Sequence, residues 1–204
     1  MRSSAHVANC TFAEDGQAMH MATKIKRWTL EELHSLPDDG NKYELVRGQL
    51  LVTPPPNVDH ETILARLSRL LEPYVAAQGL GFLYHPRSVF RFEGSEVEPD
   101  LMVRQPPRGP HTTWQNAPVQ ILIVEVLSDS TRRRDRGDKR DLYMDAAIEE
   151  YWIVDPELGA ITSVRADRPD ATATDVLTWA PRGSTEPLHV DIRELFEYGS
   201  SIGV

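Results

Sequence analysis

Cysteine is almost missing from this chain: Cys10 is the single one in 204 residues. That excludes an internal disulfide framework and any cysteine-built zinc site, and it suits a reducing cytoplasm. Long apolar runs are missing too. No stretch approaches the roughly 20 residues a membrane span needs, and the first twenty residues lack the apolar centre of a secretory signal. An excess of positive charge is the third absence. The net charge is −9, which argues against a protein that coats nucleic acid nonspecifically. A nuclease is not excluded, because its acids gather for a metal while its basic residues are local. The remaining composition, 40% hydrophobic and 26% charged, is that of an ordinary globular chain long enough for one domain with a real core.

The positive charge is indeed local. Arg132 to Arg140 holds six Lys/Arg against two Asp, a net of +4. A solvated helix face is the bland reading of such a run, and a phosphate-contacting rim is the functional one.

Along the chain, residues 1–20 carry few aliphatics and no periodicity, so they read as a disordered or mis-started leader, with a single domain over 21–204. Thr29 and Glu32 form a capping-box pattern opening a short helix. Residues 43–52 read as a hairpin turning at Arg47-Gly48. A helix is expected from Asn57 or Asp59 to about Ala77, with Ile63, Leu64, Leu67, Leu70, Leu71, Tyr74 and Val75 on its apolar face. Phe82 to Phe92 reads as one longer strand, irregular at Pro86, followed by an acidic loop over 93–98. Residues 105–118 form a loop, 133–147 a helix, and 151–156 a buried strand. Residues 161–165 and 176–179 extend the sheet, and 191–196 close the chain as a helix. The order predicts a mixed α/β domain with a central sheet flanked by helices.

The stretch that draws attention is Gln120 to Ser128. Six of its nine residues are Ile, Leu or Val, the pattern of a strand covered on both faces. Glu125 lies inside it. A carboxylate there must be paired, protonated or bound to a cation, because an isolated buried charge is too costly. Asp100 sits in a similar apolar setting upstream, and Lys139 follows downstream. On a helical wheel Lys139 falls within the arc of Leu142, Tyr143, Ala146 and Ala147, so it points back over the sheet toward Glu125. A buried Lys139–Glu125 ion pair is one reading of that placement. The other is catalytic: Asp100 and Glu125, with the Val126 carbonyl, hold Mg²⁺ or Mn²⁺, and Lys139 positions or activates the attacking water. Arg132, Arg136 and Arg140, spaced at i, i+4 and i+8, are then candidates for phosphate contact.

Glu98-Pro99-Asp100, Val124 to Ser128, Asp135 to Lys139 and Glu150 to Pro156, together with Tyr43 to Gly48 and His60, resemble the Uma-two family of restriction-endonuclease-like proteins, within the PD-(D/E)XK nuclease superfamily. The similarity covers roughly Trp28 to Phe196. It implies a restriction-endonuclease-like core, a divalent-metal-dependent endonuclease acting on DNA, and site roles for Glu44 and His60 beside Asp100, Glu125 and Lys139. The superfamily pattern places lysine two residues after the acid, where this chain has Leu127; the resemblance implies that Lys139 on the following helix takes that role. An acid usually follows the hairpin glycine, and here it is Gln49. Glu44 reads equally as a hairpin ion pair, and His60 equally as a helix cap. A homodimer is expected, since two DNA strands call for two sites. A nuclease fold that binds DNA or protein without cutting, and a hydrolase of another phosphoester, are the competing readings.

Overall fold

The computed structural model describes residues 26–107, 109–114 and 120–197. The leader expected over 1–20 lies outside them.

Thr29 caps the short α1 (Leu30–His34), and the Glu32 side chain answers back to the Thr29 backbone in a capping box. The hairpin follows as β1 (Lys42–Val46) and β2 (Gln49–Thr53). Its two-residue turn places Arg47 at φ 51° and Gly48 at φ 83°. Two successive left-handed residues are what a type I′ turn demands, and glycine takes the second without steric cost. Three prolines stop β2. Asn57 then caps the 20-residue α2 (Val58–Ala77), which buries Ile63, Leu64, Leu67, Leu71 and Val75.

Residues 82–92 do not make one strand. They divide into β3 (Phe82–Tyr84) and β4 (Phe90–Phe92), and the two halves belong to different sheets. The break falls at Pro86-Arg87, where Pro has no amide for a ladder and Arg87 is left-handed at φ 76°. The expected acidic loop is likewise a hairpin: β5 (Ser95–Val97) pairs back on β4. Gly81 is obligatory ahead of β3. At φ 127°, a Cβ there would stand 1.9 Å from the Arg104 carbonyl.

The central elements are β6 (Leu101–Arg104), β7 (Gln120–Val126), α3 (Arg132–Arg136), α4 (Asp138–Asp145) and β8 (Glu150–Asp155). The single helix expected over 133–147 is thus two helices, broken at Gly137 with φ −117° and ψ −98°. Then come β9 (Ala160–Arg165), β10 (Arg168–Ala173), β11 (Val176–Trp179), β12 (Leu188–Asp191) and α5 (Ile192–Phe196). The 176–179 strand does not extend the central sheet; β11 pairs only with β12.

A six-stranded sheet, β10-β9-β8-β7-β6-β3, and a four-stranded one, β2-β1-β5-β4, result. In the larger sheet β7 and β8 run parallel, joined through α3 and α4, and the other pairings are antiparallel. One core lies between this sheet and α2, with Leu67, Leu122, Val124 and Trp152 at its centre. A second lies on the opposite face, where Ile123, Tyr151 and Ile153 meet Tyr143 of α4 and Val46 and Val97 of the smaller sheet. The fold is mixed α/β with sheets flanked by helices.

Candidate active site

The second core is where polar chemistry enters the interior. β7 is buried at all seven positions, and Glu125 shares the face of Ile123. Pairing runs Leu101↔Val124 and Met102↔Ile123, so one further register step sets Asp100 against Glu125. The Val126 amide donates to Asp100 Oδ2 at 2.9 Å, and His60 Nε2 from the first turns of α2 lies 3.1 Å from the same oxygen. Its other oxygen, Oδ1, lies 3.5 Å from Lys42 Nζ.

Lys139 is 2% exposed and reaches from the first turn of α4 to Glu125 Oε1 at 2.9 Å, Glu44 Oε1 at 3.0 Å and Asp135 Oδ1 at 3.6 Å. The Tyr143 hydroxyl donates to Glu125 Oε1 at 2.7 Å, and the Glu98 amide donates to Glu44 Oε1 at 2.9 Å. Glu44 therefore comes from the smaller sheet and Glu125 from the larger, with Lys139 between them.

Four buried carboxylates (Glu44, Asp100, Glu125 and Asp135) thus face two lysines, Lys42 and Lys139. Burial pushes the Glu125 carboxyl up to about 8, with Lys139 opposing and the neighbouring acids reinforcing the shift. Asp135 is also raised, by burial. For Asp100 the burial penalty is overcome by Lys42 and by the His60 hydrogen bond, which hold it well below the carboxylate range. Glu44 is lowered in the same way by Lys139 and Lys42. Burial disfavours both ammonium groups, yet the surrounding acids hold both above the usual lysine range. His60 is raised because the Asp100 bond outweighs burial. With all four acids ionised the cluster would carry more negative charge than its two lysines offset, and burial together with that crowding is what raises Glu125 and Asp135.

Asp100, Glu125 and Val126 line a cleft of about 640 Å³, along with Lys42, His60, Asp135, Arg87 and Arg132. Of the residues expected at the site, the structure brings Asp100, Glu125, Lys139, Glu44 and His60 together. The three arginines are not gathered. Arg132 lines the cleft, but it bonds Asp155 at 2.5 Å and Glu157 at 2.8 Å, and Arg136 holds the same Asp155 oxygen at 2.7 Å. Beyond the break at Gly137, Arg140 pairs with Asp170 of β10. An i, i+4, i+8 row exists only on an unbroken helix. Sequence reasoning also missed Lys42 and the part played by Asp135. Lys42 neighbours Tyr43-Glu44, and strand alternation puts it on the same side as Glu44, which was the available signal.

Among the described residues, no group of three or more His, Cys, Asp and Glu side chains is placed to hold a metal ion. Asp100 and Glu125 supply two carboxylates, as many as a hard divalent cation that keeps several of its waters takes from a protein. No described helix is long and apolar enough to cross a membrane.

A search of curated proteins finds no match. Among solved structures, the chain resembles one described as "a putative nuclease belonging to DUF820" from Anabaena variabilis. The TM-score is 0.69 at 20% identity, over 82% of this chain and 97% of that one. At that identity the likeness establishes the fold, a restriction-endonuclease-like core. The profile of the Uma2 family, described as "Putative restriction endonuclease", matches residues 30–190. That match takes in both sheets, α2 and every residue of the acid–lysine cluster, and on its extent the chain belongs to the Uma2 family.

Proposed function

We propose that the protein is a divalent-metal-dependent endonuclease that hydrolyses DNA phosphodiester bonds. The observation that carries this reading is the aligned pair Asp100–Glu125 at the cleft, embedded in an excess of buried carboxylate. Asp100 and Glu125, with the Val126 carbonyl, would hold Mg²⁺ or Mn²⁺. A cation held there offsets the negative charge that builds on the phosphoryl oxygens.

The chain's own groups do the positioning. His60 and the Val126 amide fix the Asp100 carboxylate from one side. Lys139 clamps Glu44 and Glu125 together, and Tyr143 holds the Glu125 oxygen in the same orientation. Lys139 thereby acts as a positioning residue behind the acids. In the hydrolysis, an oxygen of water bonds to phosphorus and gives up a proton, the bond from phosphorus to the sugar oxygen breaks, and the departing oxygen takes up a proton. Arg132, which lines the cleft, would be the arginine to contact a phosphate, and a homodimer would supply one site per strand.

Plasmid nicking with Mg²⁺ or Mn²⁺ tests the reading. Wild-type protein should nick, chelator should abolish nicking, and Asp100→Ala should lower it by two orders of magnitude or more. A well-folded protein with stable DNA binding and no nicking under either cation would favour a binding module instead.

A further inference from the structure

The proposed reaction calls for a cation that reaches the substrate, and Lys139 does not reach it. It is enclosed by three carboxylates, and among the described residues it is not part of the cleft wall. Lys42 is part of that wall. Its side chain is 22% exposed, against 2% for Lys139. It begins β1, two residues before Glu44 on the same face, so the smaller sheet delivers it to the acids of the larger one.

The contacts of Lys42 are loose where those of Lys139 are tight. Its single hydrogen bond among the described residues is to the Glu98 carbonyl, at 3.1 Å. Asp100 Oδ1 at 3.5 Å and Glu44 Oε1 at 3.9 Å lie beyond the 2.7–3.2 Å of a good N–H···O bond. Charge holds the ammonium there, with little geometric restraint. The Asp100 oxygen it faces is also the less engaged one, because His60 and the Val126 amide both address Oδ2. A divalent cation approaching Asp100 through Oδ1 therefore meets Lys42 on the way. Two positive charges on one carboxylate oxygen repel, and the flexible four-carbon stem of lysine, with three rotatable donors, allows the ammonium to move.

Resting on the nuclease reading, we propose that Lys42 is the substrate-facing lysine of this site: it competes with the divalent cation for Asp100 and, displaced, meets the scissile phosphate. The charge of the cleft makes such a group necessary. Asp59, Glu61, Asp129 and Glu157 line it along with Arg87 and Arg132, and Arg132 is already engaged by two acids. A polyanionic substrate entering this cleft needs a further cation beside Asp100.

The test uses the full chain as wild type, Lys42→Gln and Lys42→Arg. Mn²⁺ binding without DNA is measured by calorimetry, and cleavage by single-turnover plasmid nicking. Lys42→Gln should bind Mn²⁺ several-fold more tightly, because a rival positive charge has gone, while nicking about a hundredfold more slowly. Lys42→Arg should bind Mn²⁺ within about twofold of wild type and recover part of the nicking, since charge is kept. A purely structural lysine would instead lower the melting temperature and leave Mn²⁺ affinity unchanged or weaker. Unchanged or weaker Mn²⁺ binding in Lys42→Gln, or full nicking by it, overturns the assignment while a cutting wild type keeps the nuclease reading. Should Lys42→Gln fail to fold, Lys42→Met, which retains the apolar stem, takes its place under the same criteria. A wild type that neither binds Mn²⁺ nor nicks removes the nuclease reading, and the role of Lys42 with it.

Discussion

Glu125 and Glu150 stand on neighbouring parallel strands of one sheet, each 2% exposed, and the chain treats them in opposite ways. Glu150 faces the α2 side. Its Oε1 accepts from the Trp152 indole at 2.8 Å and the Ser163 hydroxyl at 2.7 Å, and its Oε2 is met by Arg165 at 3.2 Å and Arg168 at 3.7 Å. Donors address both oxygens, and two guanidinium groups meet this one buried acid, Arg165 being held by the exposed Asp167 as well. Glu125 faces the other side, takes its described donors on Oε1 alone, and shares Lys139 with two further carboxylates. Both are buried acids. One is balanced by its neighbours, as structural carboxylates are, and the other is left with charge that only an additional cation or a proton offsets. Balance, more than burial, separates Glu150 from Glu125, the acid to which the proposed function gives a chemical role.

The comparison breaks most directly at Lys139. Lys139→Ala strands Glu44 and Glu125 together, and removing one partner of a buried ion pair costs about 3–5 kcal/mol. The melting temperature should drop by about 6–20 °C for a chain of this size, and nicking should fall at least a hundredfold. Lys139→Arg should restore part of both, and a shifted pH profile for its nicking would mark a positioning role that stability alone does not report. A stable, fully active Lys139→Ala protein would remove the residue from the site.

The paired substitutions Glu125→Gln and Glu150→Gln sharpen it. Glu150→Gln should cost roughly 1–3 kcal/mol, since charged donors lose their acceptor, and should leave nicking rates unchanged in folded protein. Glu125→Gln should abolish nicking yet hold or raise the melting temperature. The sign follows from the folded value of about 8, above the ordinary 4.5. The folded state favours the protonated form, so the contribution is present below 4.5 and is lost as pH rises through 8. With chelator present, wild-type melting temperature should fall across that window, and Glu125→Gln should flatten the fall. A variant as steep as wild type would contradict the assignment.

Smaller effects belong to the arginines. Asp155 is raised by burial but lowered overall by Arg132 and Arg136. Its contribution is therefore present above the ordinary 3.8 and lost as pH falls through the depressed value. Asp155→Asn should lower the melting temperature at pH 7, with the gap to wild type closing as pH falls below the ordinary 3.8. Arg140→Ala breaks a half-exposed pair with Asp170 and should change stability by less than about 1 kcal/mol. Its DNA affinity should match wild type, whereas Arg132→Ala should weaken binding and reduce the salt slope by about one.

How much of this was legible beforehand depended on range. Lys139 was readable because its neighbours Leu142 and Tyr143 lie within one turn, so a wheel could aim it. Asp100 and Glu125 were readable because apolar strands around an acid are a local pattern. For Lys42 strand alternation could set it beside Glu44, but its meeting with Asp100 depends on how two sheets pack, which that alternation does not encode. The run Phe82 to Phe92 misled because both halves have strand composition, while the change of sheet at Arg87 is a tertiary choice. The strand β10 was missed because five of its six residues are exposed and it holds a proline, edge-strand features that resemble a loop in sequence.

Because Lys139 joins Glu44 to Glu125, the order of synthesis acquires a meaning. The hairpin bearing Lys42 and Glu44 leaves the ribosome 95 residues before the lysine that neutralises it, an interval of roughly 5–19 s at 5–20 residues per second. Before that lysine appears, Glu44 has Lys42 at 3.9 Å and the Glu98 amide as partners, and lacks the ammonium that ties it to Glu125. The last helix to be made before β8 is the one that carries Lys139, so the link between the two sheets through Glu44 and Glu125 is complete only once α4 exists.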